Sequence, residues 1–191
     1  VIGGTRMVSV NPLPTASLIT PPTTVCEGSM VSLQVFVTGR GPWTIAYTAN
    51  NVAQTPVIVG NSTMSRNGAI VMFNVMPTTT TTYALTTISD GSSPNSTCTN
   101  SAFGVPTVVT VNANPTAAIN SPSPISSCQG NPVRLPLVLT GNGPWFVTYT
   151  ITGVGPVQTK QVSLGLPGQT TGEFVIEENL LGNSQIAITS V

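Results

Sequence analysis

The chain contains no histidine, and Asp90 is its only aspartate. These absences exclude Ser-His-Asp and Cys-His catalysis and any zinc site that uses histidine. Glu173, Glu177 and Glu178 could supply the paired carboxylates of a glycosidase, but on a strand we expect them to alternate toward solvent. One aspartate with one adjacent glycine gives little support for a calcium site. We therefore predict that the chain is not an enzyme and has no catalytic residue, no metal site and no cofactor.

Charged residues are scarce, with five basic and five acidic side chains that together make up 5% of the chain. The basic residues are scattered singly, so no cluster is available to bind the phosphates of a nucleic acid. No apolar run approaches the roughly 18 residues of a membrane-spanning helix, so we predict no direct membrane insertion. Apolar residues nevertheless make up 40% of the chain, which predicts a buried core rather than disorder. No signal peptide is visible at the start, and we expect the chain to begin downstream of one.

A six-residue motif occurs twice in the chain, 102 residues apart. Residues 38–43 read Thr-Gly-Arg-Gly-Pro-Trp, and residues 140–145 read Thr-Gly-Asn-Gly-Pro-Trp. The tripeptide Cys-Glu-Gly at 26–28 recurs at the same offset as Cys-Gln-Gly at 128–130. The repeat predicts two small domains rather than a single large one.

Further segments align and set the boundaries of the predicted modules. They are the proline-rich linkers 10–16 and 111–117, the closing strands 2–10 and 103–111, and the downstream pairs 68–76 with 172–180 and 83–88 with 186–191. We predict that residues 1–10 are the last strand of a preceding module and that 11–112 form a complete module. Residues 113–191 are predicted to form a second module, truncated before its last strand.

Alternating apolar and polar residues predict short β-strands, and Gly, Pro and Asn mark the joints between them. In the complete module the strands are predicted at 15–19, 31–38, 43–48, 56–60, 69–75, 81–89 and 107–112. Seven strands in ~100 residues is the scale of an immunoglobulin-like or fibronectin type III-like β-sandwich. The predicted fold class is therefore all-β, with tandem immunoglobulin-like modules.

Five aromatic residues are predicted to have structural roles. They are Trp43, Trp145, Tyr47, Tyr83 and Tyr149. Trp43 and Tyr83 begin the third and sixth strands, where such sandwiches carry a core Trp and a corner Tyr, and the second module has Ile186 in place of that Tyr. The two tryptophans could instead be sugar-stacking platforms, but their identical place after Gly-Pro favours packing in the core.

Five consecutive threonines occupy residues 78–82. They could form an exposed hydroxyl ladder that binds polysaccharide or ice. A turn leading into the sixth strand is the favoured interpretation, because the second module has Gly-Asn-Ser at the corresponding place, 182–184.

The three cysteines, Cys26, Cys98 and Cys128, are disulfide candidates, since oxidised cysteine is the default in a secreted module. Cys26 and Cys98 are the obvious pair within the first module. If strands two to six run alternately up and down, however, these residues lie at opposite ends, roughly 25 Å apart and beyond the reach of a disulfide. We therefore favour bridges between modules, from Cys98 to the preceding module and from Cys26 to a cysteine beyond Val191. A missing fourth strand would reverse the parity and allow the bond within the module.

The linker Val-Asn-Pro-Leu-Pro-Thr-Ala at 10–16, the Cys-x-Gly tripeptide, the Thr-Gly-x-Gly-Pro-Trp motif and Pro-Thr-Thr-Thr-Thr-Thr-Tyr at 77–83 carry a family likeness. Together they resemble the Ig-like or PKD-like repeats of very large Bacteroidetes surface proteins, which include gliding-motility adhesins exported by type IX secretion. The resemblance covers nearly all of the chain, although the Trp-Asp-Phe-Gly-Asp core of PKD domains is absent. It implies a secreted, extracellular filament on the bacterial surface. A weaker likeness is to the lumenal Ig-like repeats of nuclear-pore membrane proteins, but the threonine run and the linker favour the bacterial family.

The sequence therefore predicts a structural or adhesive repeat region that acts as a rigid spacer. The expected partners are neighbouring modules of the same chain, and surface polysaccharide or other cell-surface proteins. The alternative is a carbohydrate-binding module of a secreted polysaccharide-degrading system. Exposed coplanar aromatic residues would favour that alternative, and burial of Trp43 and Trp145 would count against it.

Overall fold

A computed structural model describes residues 3–5, 10–61, 68–91, 98–101, 104–128 and 130–191. All the regular elements in these residues are β-strands, and they belong to two compact units, Val1–Val111 and Asn112–Val191. Of the predicted opening strand, residues 1–2 and 6–9 lie outside the described residues, and 3–5 and 10 are not in a strand. The division into one complete and one truncated module stays a prediction.

The described part of unit 1 contains ten strands that form two sheets. They are β1 Ala16–Leu18, β2 Thr23–Cys26, β3 Val31–Val37, β4 Trp43–Ala49, β5 Val52–Ala53, β6 Val57–Val59, β7 Ala69–Val75, β8 Thr81–Ser89, β9 Thr99–Ser101 and β10 Thr107–Asn112. One sheet has the order β1-β3-β7, and the other has the order β2-β10-β8-β4-β5, with β6 paired to β4 and β9 paired to β8.

The core of unit 1 follows from strict alternation along its strands. In β3, every second residue from Val31 to Val37 is buried and those between are exposed. Because successive side chains point to opposite faces of a sheet, this pattern gives each sheet one apolar face, and burying the two apolar faces against each other stabilises the sandwich. Trp43, Ile45 and Ile88 from the second sheet are fully buried in the same core.

In unit 2, the residues that the structure describes form six strands in two sheets. They are β11 Thr116–Ile119, β12 Val133–Thr140, β13 Trp145–Gly153, β14 Gln158–Leu164, β15 Thr171–Glu178 and β16 Ser184–Ser190. The sheet orders are β11-β12-β15 and β14-β13-β16. Leu137 and Leu139 from the first sheet meet Trp145 and Val147 from the second in a buried cluster. The chain has an immunoglobulin-like β-sandwich fold, as the sequence predicted.

The seven strands predicted for the first module are all present. The fourth of them, β6, does not pair as the fourth strand of an immunoglobulin fold usually does. In β6, Val59 pairs with Trp43 and Val57 pairs with Ile45 of β4. A strand paired with the third strand of the fold is a C′ strand rather than a D strand. Because β6 is antiparallel to β4, the predicted up-and-down alternation still holds.

The predicted alignment of 68–76 with 172–180 is wrong by one residue. Val31 pairs with Val75 in unit 1, and its repeat counterpart Val133 pairs with Glu178 in unit 2. Glu178 therefore takes the place of Val75, at an offset of 103 rather than 104. A shift of one residue moves a side chain to the other face of a sheet. Glu178 is consequently buried, contrary to the expectation that all three glutamates face solvent.

Candidate functional site

The repeated motif builds the same corner in both units. We use the name Trp corner for residues 38–43 with 14–15 in unit 1, and for 140–145 with 115–116 in unit 2. Trp43 is fully buried and its indole N–H donates a hydrogen bond to the Thr38 carbonyl at 3.0 Å. Trp145 is 2% exposed and donates to the Thr140 carbonyl at 2.9 Å. Both rings are buried in the cores of their units, and neither has a free face on which a sugar could stack.

The threonine that opens each motif ties the corner to the linker strand. The Thr38 hydroxyl is 2.7 Å from the Thr15 hydroxyl and accepts the Thr15 backbone N–H at 3.0 Å. In unit 2, the hydroxyls of Thr116 and Thr140 are 2.5 Å apart. The side chain of this threonine therefore holds the linker while its carbonyl holds the tryptophan.

The first glycine of each motif is required by both conformation and space. Gly39 has a φ of 96°, and a Cβ at this position would lie 2.7 Å from Asp90 Oδ2 and 3.1 Å from Pro14 Cβ. Gly141 has a φ of 106°, and its Cβ would lie 2.7 Å from Pro115 Cα. Positive φ favours glycine, and here a side chain would also collide with the linker proline. The peptide bonds Gly41-Pro42 and Gly143-Pro144 in the same motif are cis.

Asp90 organises two loops beside the Trp corner of unit 1. It is 2% exposed, Oδ2 accepts the Arg40 backbone N–H at 3.1 Å, and Oδ1 accepts the Cys98 N–H at 3.3 Å. A buried carboxylate needs such donors, since desolvating it without them is costly. Among the described residues, no group of three or more Cys, Asp and Glu could hold a metal ion. In the sequence, the one sign of this role is that Asp90 is the single aspartate of a nearly uncharged chain. A calcium site was the only role considered for it, and the loop-binding role was missed.

The two tyrosines of unit 1 lie in its core region. The ring centroids of Tyr47 and Phe73 are 4.9 Å apart, and those of Tyr47 and Tyr83 are 6.4 Å apart. Burial raises the pKa of Tyr83, the nearby Tyr47 raises it further, and a hydrogen bond with the Thr81 side chain opposes the shift. In unit 2, Ile186 occupies the position of Tyr83 and is half-buried.

Tyr149, Lys160 and Glu178 form a polar cluster in unit 2, which we call the Glu178 cluster. Tyr149 and Glu178 are buried, and the Lys160 side chain is 41% exposed. The Tyr149 hydroxyl donates a hydrogen bond to Glu178 Oε1, and Lys160 Nζ lies 2.5 Å from Glu178 Oε2. Burial, followed by the hydrogen bond and the charge of Glu178, raises the pKa of Tyr149 to about 12. A structural role was predicted for Tyr149 from the sequence, but its two partners in the cluster, Lys160 and Glu178, were not predicted.

The three glutamates of β15 do not converge on a cleft. Glu178 points into unit 2, while Glu173 and Glu177 are exposed on the opposite face of the strand. Glu177 forms an exposed ion pair with Arg134, whose Nη2 lies 2.6 Å from Oε1. A glycosidase requires two carboxylates that flank one bond, and this arrangement does not provide them.

The threonine run forms the turn between β7 and β8 and the start of β8. Thr81 is buried and its hydroxyl donates to the Thr79 carbonyl at 2.6 Å. The Thr80 hydroxyl accepts the Val111 N–H at 3.1 Å, and Asn50 Oδ1 accepts the Thr82 N–H at 2.9 Å. These threonines therefore bond within the module, and the turn interpretation is confirmed.

The cysteines of unit 1 lie at opposite ends of the sandwich. Cys26 ends β2 near the β7–β8 turn, where the Gly28 N–H donates to the Pro77 carbonyl at 3.1 Å. Cys98 follows β8 and its carbonyl accepts the Asp90 N–H at 3.1 Å. The nine residues of β8 separate these ends by roughly 25 Å. Cys26, Cys98 and the exposed Cys128 are free thiols, and the bridges between modules stay a prediction.

Comparisons with known proteins find likeness only among solved structures. No family model and no curated protein matches the sequence. A titin fragment is 10% identical, with a TM-score of 0.36, and the match covers 93% of this chain and 97% of that chain. A tandem of titin Ig domains is 12% identical, with a TM-score of 0.33 and coverages of 95% and 97%. A titin I-band fragment is 16% identical, with a TM-score of 0.36 and coverages of 88% and 65%.

The described residues contain no helix that could span a membrane.

Proposed function

We propose that this chain is a structural, adhesive repeat region of a long secreted filament on a bacterial cell surface, and that each module acts as a rigid spacer. The observation that carries the proposal is the Trp corner, which is built alike in both units. Because the same corner is repeated in both units, it indicates modules that are joined one after another along the chain. The fold itself hosts many functions, so the argument rests on the corner rather than on the sandwich.

The Trp corner makes the linker part of the module. Thr15 hydrogen bonds to Thr38, and the Asn100 side-chain amide donates to the Pro14 carbonyl at 3.0 Å. Only residues 113–115 separate β10 from β11, and the last of them is a proline that packs on Gly141. A short connection anchored at one end, with φ fixed by proline, restricts bending between modules. Such a joint suits a spacer that must hold its length.

The extracellular location and the type IX secretion route rest on the resemblance to Bacteroidetes surface repeats. Gliding motility and adhesion come from the same resemblance. Near-zero charge supports a surface without ionic attraction to nucleic acid or to a charged membrane. The partners would be neighbouring modules, together with surface polysaccharide or other cell-surface proteins at the end of the filament. The carbohydrate-binding alternative loses its main support, because both tryptophans are buried.

Single-molecule pulling of the whole chain, held at its two ends, tests the spacer role. We expect little extension before the first unfolding event and then two separate events, one for each unit. Thr140→Val removes the hydroxyl bond to Thr116 but keeps the carbonyl that binds Trp145, so it should soften the joint that follows residues 113–115 before either unit unfolds. Thr44→Val, at a position outside the corner, is the control. A chain that extends freely at low force would contradict the proposal, and specific binding of the wild-type chain on a glycan array would favour the carbohydrate-binding alternative.

A further inference from the structure

The outer edge of β7 in unit 1 has no neighbouring strand among the residues that the structure describes. In the sheet order β1-β3-β7, strand β7 pairs only with β3, because β6 pairs with β4 of the other sheet. β7 is seven residues long, Ala69–Val75, and it contains no proline, no charged residue and no bulge. A regular, uncharged edge strand of this length is a template for pairing with another strand.

The hydrogen bonds of β3 show which backbone groups of β7 face this edge. Gln34 donates its N–H to the Thr20 hydroxyl, and its carbonyl accepts the Ile19 N–H, so both of its groups point to the β1 side. Successive residues of a strand point their backbone groups to opposite sides of the strand. Val35 therefore points toward β7, where it forms a hydrogen-bonded pair with Val71.

The residues that alternate with Val71 along β7 point the other way. Ile70, Met72 and Asn74 therefore present three N–H and three C=O groups to the outer edge. No described residue forms a hydrogen bond with these groups. The edge of β7 is thus a row of alternating donors and acceptors that can bind an antiparallel strand.

The equivalent edge in unit 2 belongs to β15 and is charged. The Pro136 carbonyl accepts the Asn120 N–H on the β11 side, so the same alternation leaves Glu173, Val175 and Glu177 facing the edge of β15. Charged side chains on an edge strand oppose pairing with another chain. Unit 2 therefore has a protection that β7 of unit 1 lacks.

Exposed apolar side chains lie beside the edge of β7. On the outer face of the sheet, Phe36 is 40% exposed, and its partner Ile70 and the next outward residue Met72 are 53% and 59% exposed. The equivalents of Phe36 and Ile70 in unit 2 are Val138 and Glu173, which pair in the same way. The fold therefore does not require an apolar strip at this place, and such a strip marks a contact surface.

We propose that β7 pairs with β7 of a second copy of the chain, antiparallel and about a two-fold axis beside Met72. In this register the two Met72 residues lie opposite each other, and Ile70 of each copy lies opposite Asn74 of the other. Each of these pairs exchanges two hydrogen bonds, so every backbone group that faces the edge is bonded. The two copies share one continuous sheet, and their Ile70 and Met72 side chains lie side by side. The pairing is independent of the spacer role.

The charges of the two edges favour a second β7 as the occupant. If β15 paired with itself in the same register, centred on Val175, Glu173 would lie opposite Glu177 of the other copy. Like charges directly opposite each other on paired strands are destabilising. Ile70 and Asn74 hold these places in β7, and neither is charged, so only the edge in unit 1 suits self-pairing.

Sedimentation of the whole chain tests the proposal and its register. Association should rise with concentration, and Ile70→Glu with Asn74→Glu should weaken it roughly ten-fold or more, because it places like charges opposite each other as in β15. Ile70→Lys with Asn74→Glu places opposite charges across each pair and should keep the association. Both positions are exposed, so the variants should fold. A wild-type chain that stays monomeric at high concentration contradicts the proposal, and equal weakening by both double variants contradicts the register.

Cysteine cross-linking locates the two-fold axis. In a chain whose three native cysteines are replaced by serine, Met72→Cys should give a covalent dimer under mild oxidation, since hydrogen-bonded partners have Cα atoms about 5.5 Å apart, within disulfide reach. Gln34→Cys is the matched control, because Gln34 lies opposite Met72 on the same exposed face but on β3. It would be roughly 14 Å from its counterpart and should stay monomeric. Equal cross-linking of both variants, or of neither, would overturn the proposal.

Discussion

At the scale of single residues, the two units carry chemically different side chains at one equivalent buried position, which is occupied by Glu178 in unit 2. Unit 1 places Val75 opposite Val31, and unit 2 places Glu178 opposite Val133. The buried carboxylate is acceptable only because Lys160 and Tyr149 both bind it. Removing one partner of a buried pair is strongly destabilising, whereas replacing the whole set with apolar residues is often neutral.

Lys160→Met should therefore lower the free energy of unfolding of unit 2 by about 2 kcal/mol, since it leaves Glu178 with one partner. Adding Glu178→Val and Tyr149→Phe to Lys160→Met should restore most of that loss, because the site then resembles the one around Val75. Urea denaturation measures both changes. Arg134→Met is the control, since its exposed pair with Glu177 should contribute less than about 1 kcal/mol. Equal losses in Lys160→Met and Arg134→Met would show that the Glu178 cluster has no special role.

Tyr149 should make the stability of unit 2 depend on alkaline pH. Its folded pKa is about 12, above the ordinary value of 10.0, so folding favours the protonated phenol. The stabilisation is fully present below pH 10 and is lost as the pH rises through about 12. Denaturation midpoints of unit 2 should therefore fall over this range more steeply in the wild type than in Tyr149→Phe. A titration of tyrosinate absorbance should show a step near pH 12 that Tyr149→Phe removes, and persistence of that step in the variant would assign it to another tyrosine.

At the scale of strands and turns, local patterns predicted most of the fold. Alternation identified β3, β7 and β8, and the repeated Gly-Pro-Trp placed both tryptophans in the core. The short strands β2, β5 and β9 were missed, because two to four residues give too little periodicity and their pairing depends on distant segments.

The strand register and the buried polar contacts depend on long-range geometry. Anchoring the alignment on Gly68 and Gly172 put Glu178 on the wrong face, because Gly172 lies within β15 opposite Leu139 while Gly68 precedes β7. The hydrogen bond from the Arg40 N–H to Asp90 joins residues that are fifty positions apart, and nothing in the local sequence indicates it.

The Trp corner should tolerate no side chain at Gly39. Gly39→Ala combines a positive φ with contacts to Asp90 and Pro14 and should cost about 3 kcal/mol. Gly28 is the matched control, since its φ of 73° is also positive but nothing lies within 4 Å of an added Cβ. Gly28→Ala should cost only about 1 kcal/mol for the backbone conformation. Thermal unfolding followed by Trp43 fluorescence in a Trp145→Phe background compares the two variants. Equal shifts of the midpoint would show that the whole cost comes from the backbone conformation.

At the scale of the whole molecule, the two units have unequal cores. Among the residues that the structure describes, fourteen form the buried cluster of unit 1 and eight form that of unit 2. The free energy of folding grows with the apolar area removed from water, so unit 2 should unfold at a lower concentration of denaturant. Each unit contains one tryptophan, so Trp145→Phe leaves a reporter of unit 1 and Trp43→Phe leaves a reporter of unit 2.

A synthetic peptide of residues 4–12 should stabilise unit 2 alone. Residues 6–11 align with β10 of unit 1, and in unit 2 no described strand pairs with the other side of β16, where β10 lies beside β8 in unit 1. A peptide that pairs with β16 there binds the folded unit and not the unfolded one, so the denaturation midpoint of unit 2 must rise with peptide concentration. The transition reported by Trp145 in Trp43→Phe should therefore shift, while the transition reported by Trp43 in Trp145→Phe should not, because β10 already pairs with β8 in unit 1. A peptide with Val8→Asp and Val10→Asp is the control and should have no effect. A shift of both transitions would indicate general binding of peptide to the chain, whereas a shift of neither would show that β16 does not accept this strand.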